Sequence, residues 1–208
     1  MIRFRERMVG PVGAVAREPW VLRPRGPAAA DGIVRVAGTT VGARDSVLDL
    51  ADLHVHVTGT DADRDGYRAV VHRGTVHGIG PESLPVVCGF ADLLTRSVGG
   101  RRMHYRVLVL HRGRPVVVDG VKAVRGGVRT AWTATTTLHT VVVAVDPSAW
   151  ASGTEAGGWT RRLEVGDVPG EVVAAGVLRV RGLLRQGTSL RGDVLGFLTG
   201  FLRRAVVR

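Results

Sequence analysis

The sequence predicts an all-β fold, an antiparallel barrel or sandwich of about eight to ten strands, followed by one C-terminal amphipathic helix. The apolar residues are mostly valine, a β-branched type that packs well on a pleated sheet. Apolar and polar residues alternate along several segments, and Gly, Asp or Pro separates these segments at hairpin spacing. Parallel βαβ units would need helical patterns between the strands. A chain of 208 residues is expected to form a single domain, residues 1–208.

The predicted elements begin with a lead-in, residues 1–32, in which a short strand-like start is followed by Gly- and Pro-rich chain and a loop at 23–32. In the segment 47–58 apolar residues such as Leu53 and Val55 alternate with polar ones such as His54 and His56, which predicts one wet face. That face is expected to carry Leu50, Asp52, His54, His56 and Thr58, opposite Val47, Asp49, Ala51, Leu53, Val55 and Val57. Strands are expected at 47–58, 67–77, 84–95, 103–111, 115–124, 131–145 and 172–181.

The connection 146–170 is too long for a hairpin and carries Trp150 and Trp159. We expect it to dock, either as a lid or as a surface insertion whose tryptophans lie on the sheet.

The end of the chain predicts a helix at 193–206, with Asp193 as its N-cap. Its apolar residues recur at helical spacing and form one stripe. We expect this stripe to cover the sheet or close one end of a barrel, and the alternative is that it lies on a membrane.

The net charge is +11, and Lys122 is the one lysine among 29 basic residues. A nucleic-acid binder concentrates its basic residues on one face and interleaves aromatics that stack on bases. Here arginines occur from Arg3 to Arg208 and aromatics are 5%, so the sequence predicts no nucleic-acid partner. The single cysteine, Cys88, excludes an intrachain disulfide and favours a reducing compartment. The chain has neither an apolar run of membrane-spanning length nor a signal-peptide core, so a cytoplasmic protein is expected.

Two groups of residues suggest metal binding. His54 and His56 lie two apart on one strand face, but no spacing selects a third ligand, so solvent exposure is the competing interpretation. Asp61, Asp63 and Asp65, followed by Gly, match the first half of a calcium loop. His72 stands where the bidentate Glu should be, so a solvated hairpin turn without tight calcium binding is predicted.

No nucleophile motif or phosphate loop is present, and Cys88 lies in an apolar run typical of a buried small residue. We therefore expect no catalytic residues and no cofactor.

Six short motifs follow one another along nearly the whole chain. They are Phe4-Arg-Glu6-Arg-Met8-Val-Gly10, Gly89-Phe-Ala-Asp-Leu93, Met103-His-Tyr105-Arg106, Gly120-Val-Lys122-Ala-Val124, Trp132-Thr-Ala134-Thr-Thr136-Thr-Leu138 and Gly176-Val-Leu-Arg-Val180 with Arg185-Gln186. In this order they resemble the β-rich domain that accompanies bacterial cholesterol-oxidase-like glucose–methanol–choline oxidoreductases and some lipid-active hydrolases. The resemblance implies association with sterol- or lipid-processing enzymes and no particular reaction.

The chain departs from this pattern at Ala134, which stands where the family has an aspartate. If that aspartate pairs with the family's lysine, Lys122 has lost its partner. A buried unpaired ammonium is costly, so we expect Lys122 to face solvent or to pair with a carboxylate elsewhere.

The expected function is a non-catalytic accessory domain that binds a lipid or sterol, alone or beside a sterol-oxidising or lipid-processing enzyme. The ligand would be an apolar small molecule, a sterol or an acyl chain, held inside the sheet because valine-rich barrels leave interior space. The candidate lining residues are Met103, Tyr105, Trp132, Thr136 and Leu138. The alternatives are a small barrel enzyme, either an isomerase or a histidine–metal enzyme, and a docking module without a ligand.

Overall fold

The fold is that of a computed structural model, which describes residues 2–24, 26–40, 45–61, 65–97, 100–124, 136–151, 156–181 and residue 191. The predicted helix at 193–206 lies outside the described residues, and so do Trp132 and Asp63.

Eight strands form one antiparallel sheet, in which each strand pairs with the next and the last pairs with the first, so the sheet closes into a barrel. The strands are β1 (Ile2–Leu22), β2 (Ser46–Asp61), β3 (Gly66–His77), β4 (Leu84–Ser97), β5 (Gly100–His111), β6 (Arg114–Val124), β7 (Thr137–Val145) and β8 (Val168–Arg181). The described helices are α1 (Pro27–Thr39), α2 (Pro147–Ala151) and α3 (Ala156–Val165). This architecture confirms the predicted all-β barrel.

The N-terminal lead-in differs from the prediction. Residues Ile2–Leu22 form β1, which pairs with β2 over its N-terminal half and with β8 from Arg7 to Leu22. The predicted loop at 23–32 is also wrong, because α1 begins at Pro27. Proline is well tolerated in the first turn of a helix, where its missing N–H has no intrahelical partner anyway. Ile33 and Ala37 then bury one face of α1 against the sheet.

Strand β2 does not alternate without interruption as predicted. Asp52 adopts a positive φ of 50°, and the register with β3 shifts between Ala51 and His54. The extra residue of such a bulge moves every later side chain to the opposite face. Leu50 therefore lies inside the barrel with Leu53, and Val47 faces outward with 60% of its surface exposed.

Two apolar layers lie on opposite sides of the sheet. The barrel interior receives side chains from all eight strands, among them Met8, Leu50, Val71, Leu93, Val107, Val118, Leu138 and Leu178. A second layer lies between the outer faces of β4 to β8 and the helices, with Ile33 from α1 and Leu163 from α3. Within the described ranges, no helix has the length and apolar character needed to cross a membrane.

The long connection after β7 forms α2 and α3 instead of open loop. The rings of Trp150 and Trp159 stack with their centroids 4.7 Å apart, and Trp159 is buried in the outer layer. Of the two predicted alternatives, this arrangement matches the surface insertion whose tryptophans lie on the sheet.

Candidate functional site

A polar cluster lies inside the otherwise apolar barrel. It consists of Glu6 on β1, Tyr105 on β5 and Lys122 on β6. Period-two alternation directs these side chains inward, because Glu6 stands between the inward-facing Phe4 and Met8. We call these three residues the interior cluster.

An ion pair crosses the barrel within this cluster. Lys122 Nζ donates to Glu6 Oε1, and both side chains are almost fully excluded from solvent. Strands β1 and β6 are not neighbours in the sheet, so the pair spans the interior from one wall to the other. The prediction that Lys122 faces solvent is therefore wrong, and its stated alternative, a carboxylate away from position 134, is confirmed.

The interior cluster retains hydrogen-bonding capacity. Glu6 Oε2 is buried and has no hydrogen-bond partner among the described residues. Lys122 Nζ lies 4.8 Å from the centroid of the Tyr105 ring. Burial, together with the charge and hydrogen bonding of Glu6, raises the pKa of Tyr105 well above 10, so its hydroxyl stays protonated. The site thus combines a carboxylate acceptor, an ammonium and a neutral phenol.

Several predicted lining residues do reach this interior. Met103 is the β5 partner of Lys122 in the register, and Tyr105 is the partner of Gly120. A Cβ placed on Gly120 would come within 2.8 Å of the Leu138 side chain, so that glycine leaves the space that Leu138 fills. Met103, Tyr105 and Leu138 are all buried in the interior layer.

The other two predicted lining residues, Thr136 and Trp132, are not among the residues that the structure places in the interior layer. Thr136 is half-buried just before β7, and its carbonyl oxygen accepts a hydrogen bond from the Val180 N–H at 2.8 Å. Trp132 lies outside the described residues. Glu6 was missing from the predicted lining, although its position between two inward apolar residues was a usable signal.

A second buried polar network lies outside the barrel wall, beneath α3. Asp119 Oδ1 lies 2.6 Å from His104 Nε2, and Arg106 donates to Asp119 Oδ2 at 2.7 Å. Arg106 also donates to the carbonyl oxygens of Leu163 at 2.6 Å and Arg23 at 3.0 Å. Burial opposes ionisation of Asp119, but Arg106 and His104 outweigh it and hold its pKa well below 3.8. This network joins α3 and the end of β1 to the sheet and has a structural role.

The histidine candidates for metal binding lie on the outer surface. His54 Nε2 lies 3.1 Å from Asp52 Oδ2, and the rings of His56 and His72 are 4.2 Å apart. Partial burial, followed by the nearby His72, Arg3 and His54, lowers the pKa of His56. No group of three or more potential ligands among the described residues could hold a metal ion.

The acidic candidates are only partly described. Asp65 Oδ2 accepts a hydrogen bond from Arg101 at 2.6 Å, so an arginine already occupies this carboxylate. The Asp61 side chain and all of Asp63 lie outside the described residues. The prediction that this turn does not bind calcium tightly stays a prediction.

Cys88 is buried in the outer layer, and burial raises the pKa of its thiol. A protonated, buried thiol is a poor nucleophile, in agreement with its predicted packing role.

Fold and cluster together define a closed eight-stranded antiparallel barrel with a small polar group in its interior. Comparisons with family models, with curated proteins and with solved structures gave no match to this chain.

Proposed function

We propose that this protein is a non-catalytic binding domain that holds an apolar small molecule with one hydroxyl group inside the barrel. The observation that carries the proposal is Glu6 Oε2, a buried carboxylate oxygen without a partner among the described residues, in an interior otherwise lined by apolar side chains. Leaving such an acceptor unsatisfied costs about 1–3 kcal/mol, which a donor on a bound ligand would recover.

The chemistry of the interior cluster favours a hydroxyl group over a carboxylate on the ligand. A sterol-type hydroxyl can donate to Glu6 Oε2, and the Tyr105 hydroxyl, which stays protonated and hydrogen-bonds Glu6, keeps its oxygen as a further acceptor. A fatty acid would bring a second carboxylate next to Glu6, and the single ammonium of Lys122 is already shared with Glu6. We therefore place a sterol ahead of an acyl chain.

An accessory role in sterol or lipid metabolism rests on the resemblance described above. Glu6, Tyr105 and Lys122 each belong to a different one of its motifs, and these motifs are far apart in the sequence. Their contacts inside one barrel support a shared binding site. The proposed partner is a sterol-oxidising or lipid-processing enzyme that receives or delivers the ligand.

A titration with a fluorescent sterol and a fluorescent fatty acid tests the proposal, because energy transfer from tryptophan reports occupancy of the interior. We expect the sterol to bind more tightly. Tyr105→Phe is expected to weaken sterol binding about tenfold, which corresponds to about 1.4 kcal/mol for a lost hydrogen bond. Tyr67→Phe is the matched control, since Tyr67 is only half-buried and lies outside the interior cluster. Failure of both ligands to bind, or equal effects of the two variants, would refute the proposal.

A second candidate function, an isomerase, is favoured by one observation. A carboxylate and a protonated phenol share an apolar interior, which is the pairing of base and hydrogen-bond donor that proton abstraction next to a carbonyl requires. The test is incubation with a β,γ-unsaturated steroid ketone, followed by the absorbance of the conjugated product. Turnover that disappears in Glu6→Gln would replace the binding proposal with this one.

A further inference from the structure

One surface of the barrel gathers basic side chains that are scattered along the sequence. The helices cover the outer faces of β4 to β7, the first part of β8 and the last part of β1, and the opposite outer surface runs across the last part of β8, the first part of β1, β2 and β3. Its basic residues are Arg3, Arg5, Arg7, His54, His56, His72, Arg73, Arg179, Arg181 and Arg191. We call this set the basic face.

The strand register brings these residues into rows. Arg3 lies opposite His56 of β2 and also bridges to Arg191, with backbone hydrogen bonds of 2.9 and 3.1 Å. Arg5 lies opposite His54, and His54 lies opposite Arg73 of β3.

Farther along β1, Arg7 lies opposite Arg181 of β8. Alternate residues on one strand are about 6.7 Å apart, and neighbouring strands are about 4.8 Å apart. Each arginine of the basic face therefore has another cation within a short distance.

Acidic side chains are fewer than arginines among the described residues around these rows. Across residues 3–7, 49–56, 72–73, 179–181 and 191, the outward-facing acids are Asp49 and Asp52, against seven arginines, and the exposed Glu18 and Glu171 lie farther along β1 and β8. Arg7 donates to both oxygens of Asp49, at 3.0 and 2.6 Å, and Arg5 lies 3.8 Å from Asp52. The arginines exceed the aspartates by five positive charges on one exposed surface, and such a field attracts a polyanion.

The basic face lacks the apolar anchors that other partners require. Among the described residues, the large hydrophobic side chains that are exposed are Val21, Val47 and Val165. Val47 lies opposite Pro11 and Val21 lies opposite Pro169, both beyond the arginine row of β1, and Val165 is the last residue of α3. Protein interfaces rely on buried aromatic or aliphatic anchors, and stable membrane-surface binding adds apolar insertion to the attraction for anionic lipids.

We propose that the basic face binds the phosphodiester backbone of a nucleic acid without reading its sequence. Guanidinium groups match phosphate oxygens with two parallel hydrogen bonds, and the rows present several such groups at once. The set contains no Phe, Tyr or Trp side chain, so we expect the affinity to come mainly from phosphate contacts and counterion release.

This proposal differs from the prediction made from the linear sequence, which took the spread of arginines as a sign against nucleic acid. The barrel brings the N-terminal strand beside the last strand, so residues such as Arg7 and Arg181 become neighbours. Whether the protein binds a DNA duplex, and how that affinity depends on salt, decides between this proposal and the prediction from the linear sequence.

The test measures binding of a fluorescently labelled DNA duplex by anisotropy as the salt concentration is varied. If five arginines contact phosphates, a plot of log affinity against log salt has a slope of about −4.5, or about a 500-fold loss between 50 and 200 mM. Replacing two contacts by the double variant Arg3→Gln/Arg5→Gln is expected to reduce the slope to about −2.7. All substituted positions are exposed, so circular dichroism is expected to show an unchanged fold.

The matched control is Arg35→Gln/Arg161→Gln, which removes the same charge from exposed positions on the helix-covered side. It is expected to keep the original slope. Equal weakening in both double variants would show a diffuse charge effect and overturn the proposal. So would absence of duplex binding at low salt, or binding only to vesicles that contain phosphatidylserine.

Discussion

The ion pair between Glu6 and Lys122 is a residue-scale feature with a large energetic consequence. Two charges removed from water lose several kcal/mol of solvation each, and their attraction roughly offsets that loss. Removing one partner leaves the other charge buried and unpaired, which costs about 3–5 kcal/mol. The ion pair therefore adds little net stability by itself, but removing either partner is strongly destabilising.

This reasoning predicts a non-additive mutant cycle. Lys122→Met and Glu6→Leu are each expected to lower the free energy of unfolding by about 3–5 kcal/mol. The double variant Glu6→Leu/Lys122→Met is expected to lie within about 1 kcal/mol of the original protein, because no charge then remains in the interior. Urea denaturation at neutral pH measures all three, and additive losses would contradict the prediction.

The lowered pKa of Asp119 predicts how the free energy of unfolding depends on pH. Its pKa in the folded state lies below the unfolded value because Arg106 and His104 stabilise the carboxylate more than burial disfavours it. The unfolded state therefore binds more protons as the pH falls through about 4, so stability present above that pH is lost in acid.

The corresponding variant is Asp119→Asn. It is expected to be less stable at neutral pH and to lose stability less steeply in acid, by up to about 1.4 kcal/mol per pH unit. Urea denaturation at a series of pH values measures the difference. Parallel curves for the two proteins would show that Asp119 does not carry this dependence.

The sequence predicted only some of the residues that line the barrel interior around the interior cluster. The alternation around Tyr105 correctly placed Met103 and Tyr105 on one face, because a strand has a fixed period of two. The pairing of Glu6 with Lys122 was out of reach, since the two residues are 116 positions apart and meet only when the barrel closes.

At the scale of elements, strand positions were predictable and local irregularities were not. β5 and β6 were expected at 103–111 and 115–124 and are found at Gly100–His111 and Arg114–Val124. No Gly or Pro marks the bulge at Asp52, so the sequence could not predict that the side chains after it in β2 change faces. The sequence did not predict helices α2 and α3 for a different reason. Gly157 and Gly158 favour a loop, and tertiary packing overrides that tendency.

Helix α3 provides an element-scale prediction. Trp159 is buried against the sheet, whereas its stacking partner Trp150 is only half-buried. Trp159→Ala is expected to cost about 3–5 kcal/mol, and the matched control Trp150→Ala is expected to cost less. Urea denaturation gives the costs, and hydrogen exchange locates the change. In Trp159→Ala we expect faster hydrogen exchange confined to residues 156–165. Equal losses of stability in the two variants would contradict the prediction.

At the scale of the whole molecule, the barrel depends on the seam between its first and last strands. β1 and β8 are remote in sequence, so pairing them closes a long loop and is expected to form late in folding. Two glycines allow the strands to approach closely. A Cβ on Gly10 would lie 2.2 Å from the Val177 carbonyl oxygen, and one on Gly176 would lie 2.2 Å from the Pro11 carbonyl oxygen.

The seam predicts that Gly176→Ala is destabilising, because the new methyl group would meet backbone atoms of β1 that cannot move aside cheaply. Such overpacking typically costs about 1–3 kcal/mol. Gly38→Ala is the matched control, since Gly38 lies in the last turn of α1 and a Cβ added there would meet no atom within 4 Å. That change is expected to stabilise the protein by about 0.4–1 kcal/mol. Thermal and urea denaturation of both variants measure these changes. A Gly176→Ala protein as stable as the original would mean that the two strands do not meet as closely as the closed barrel requires.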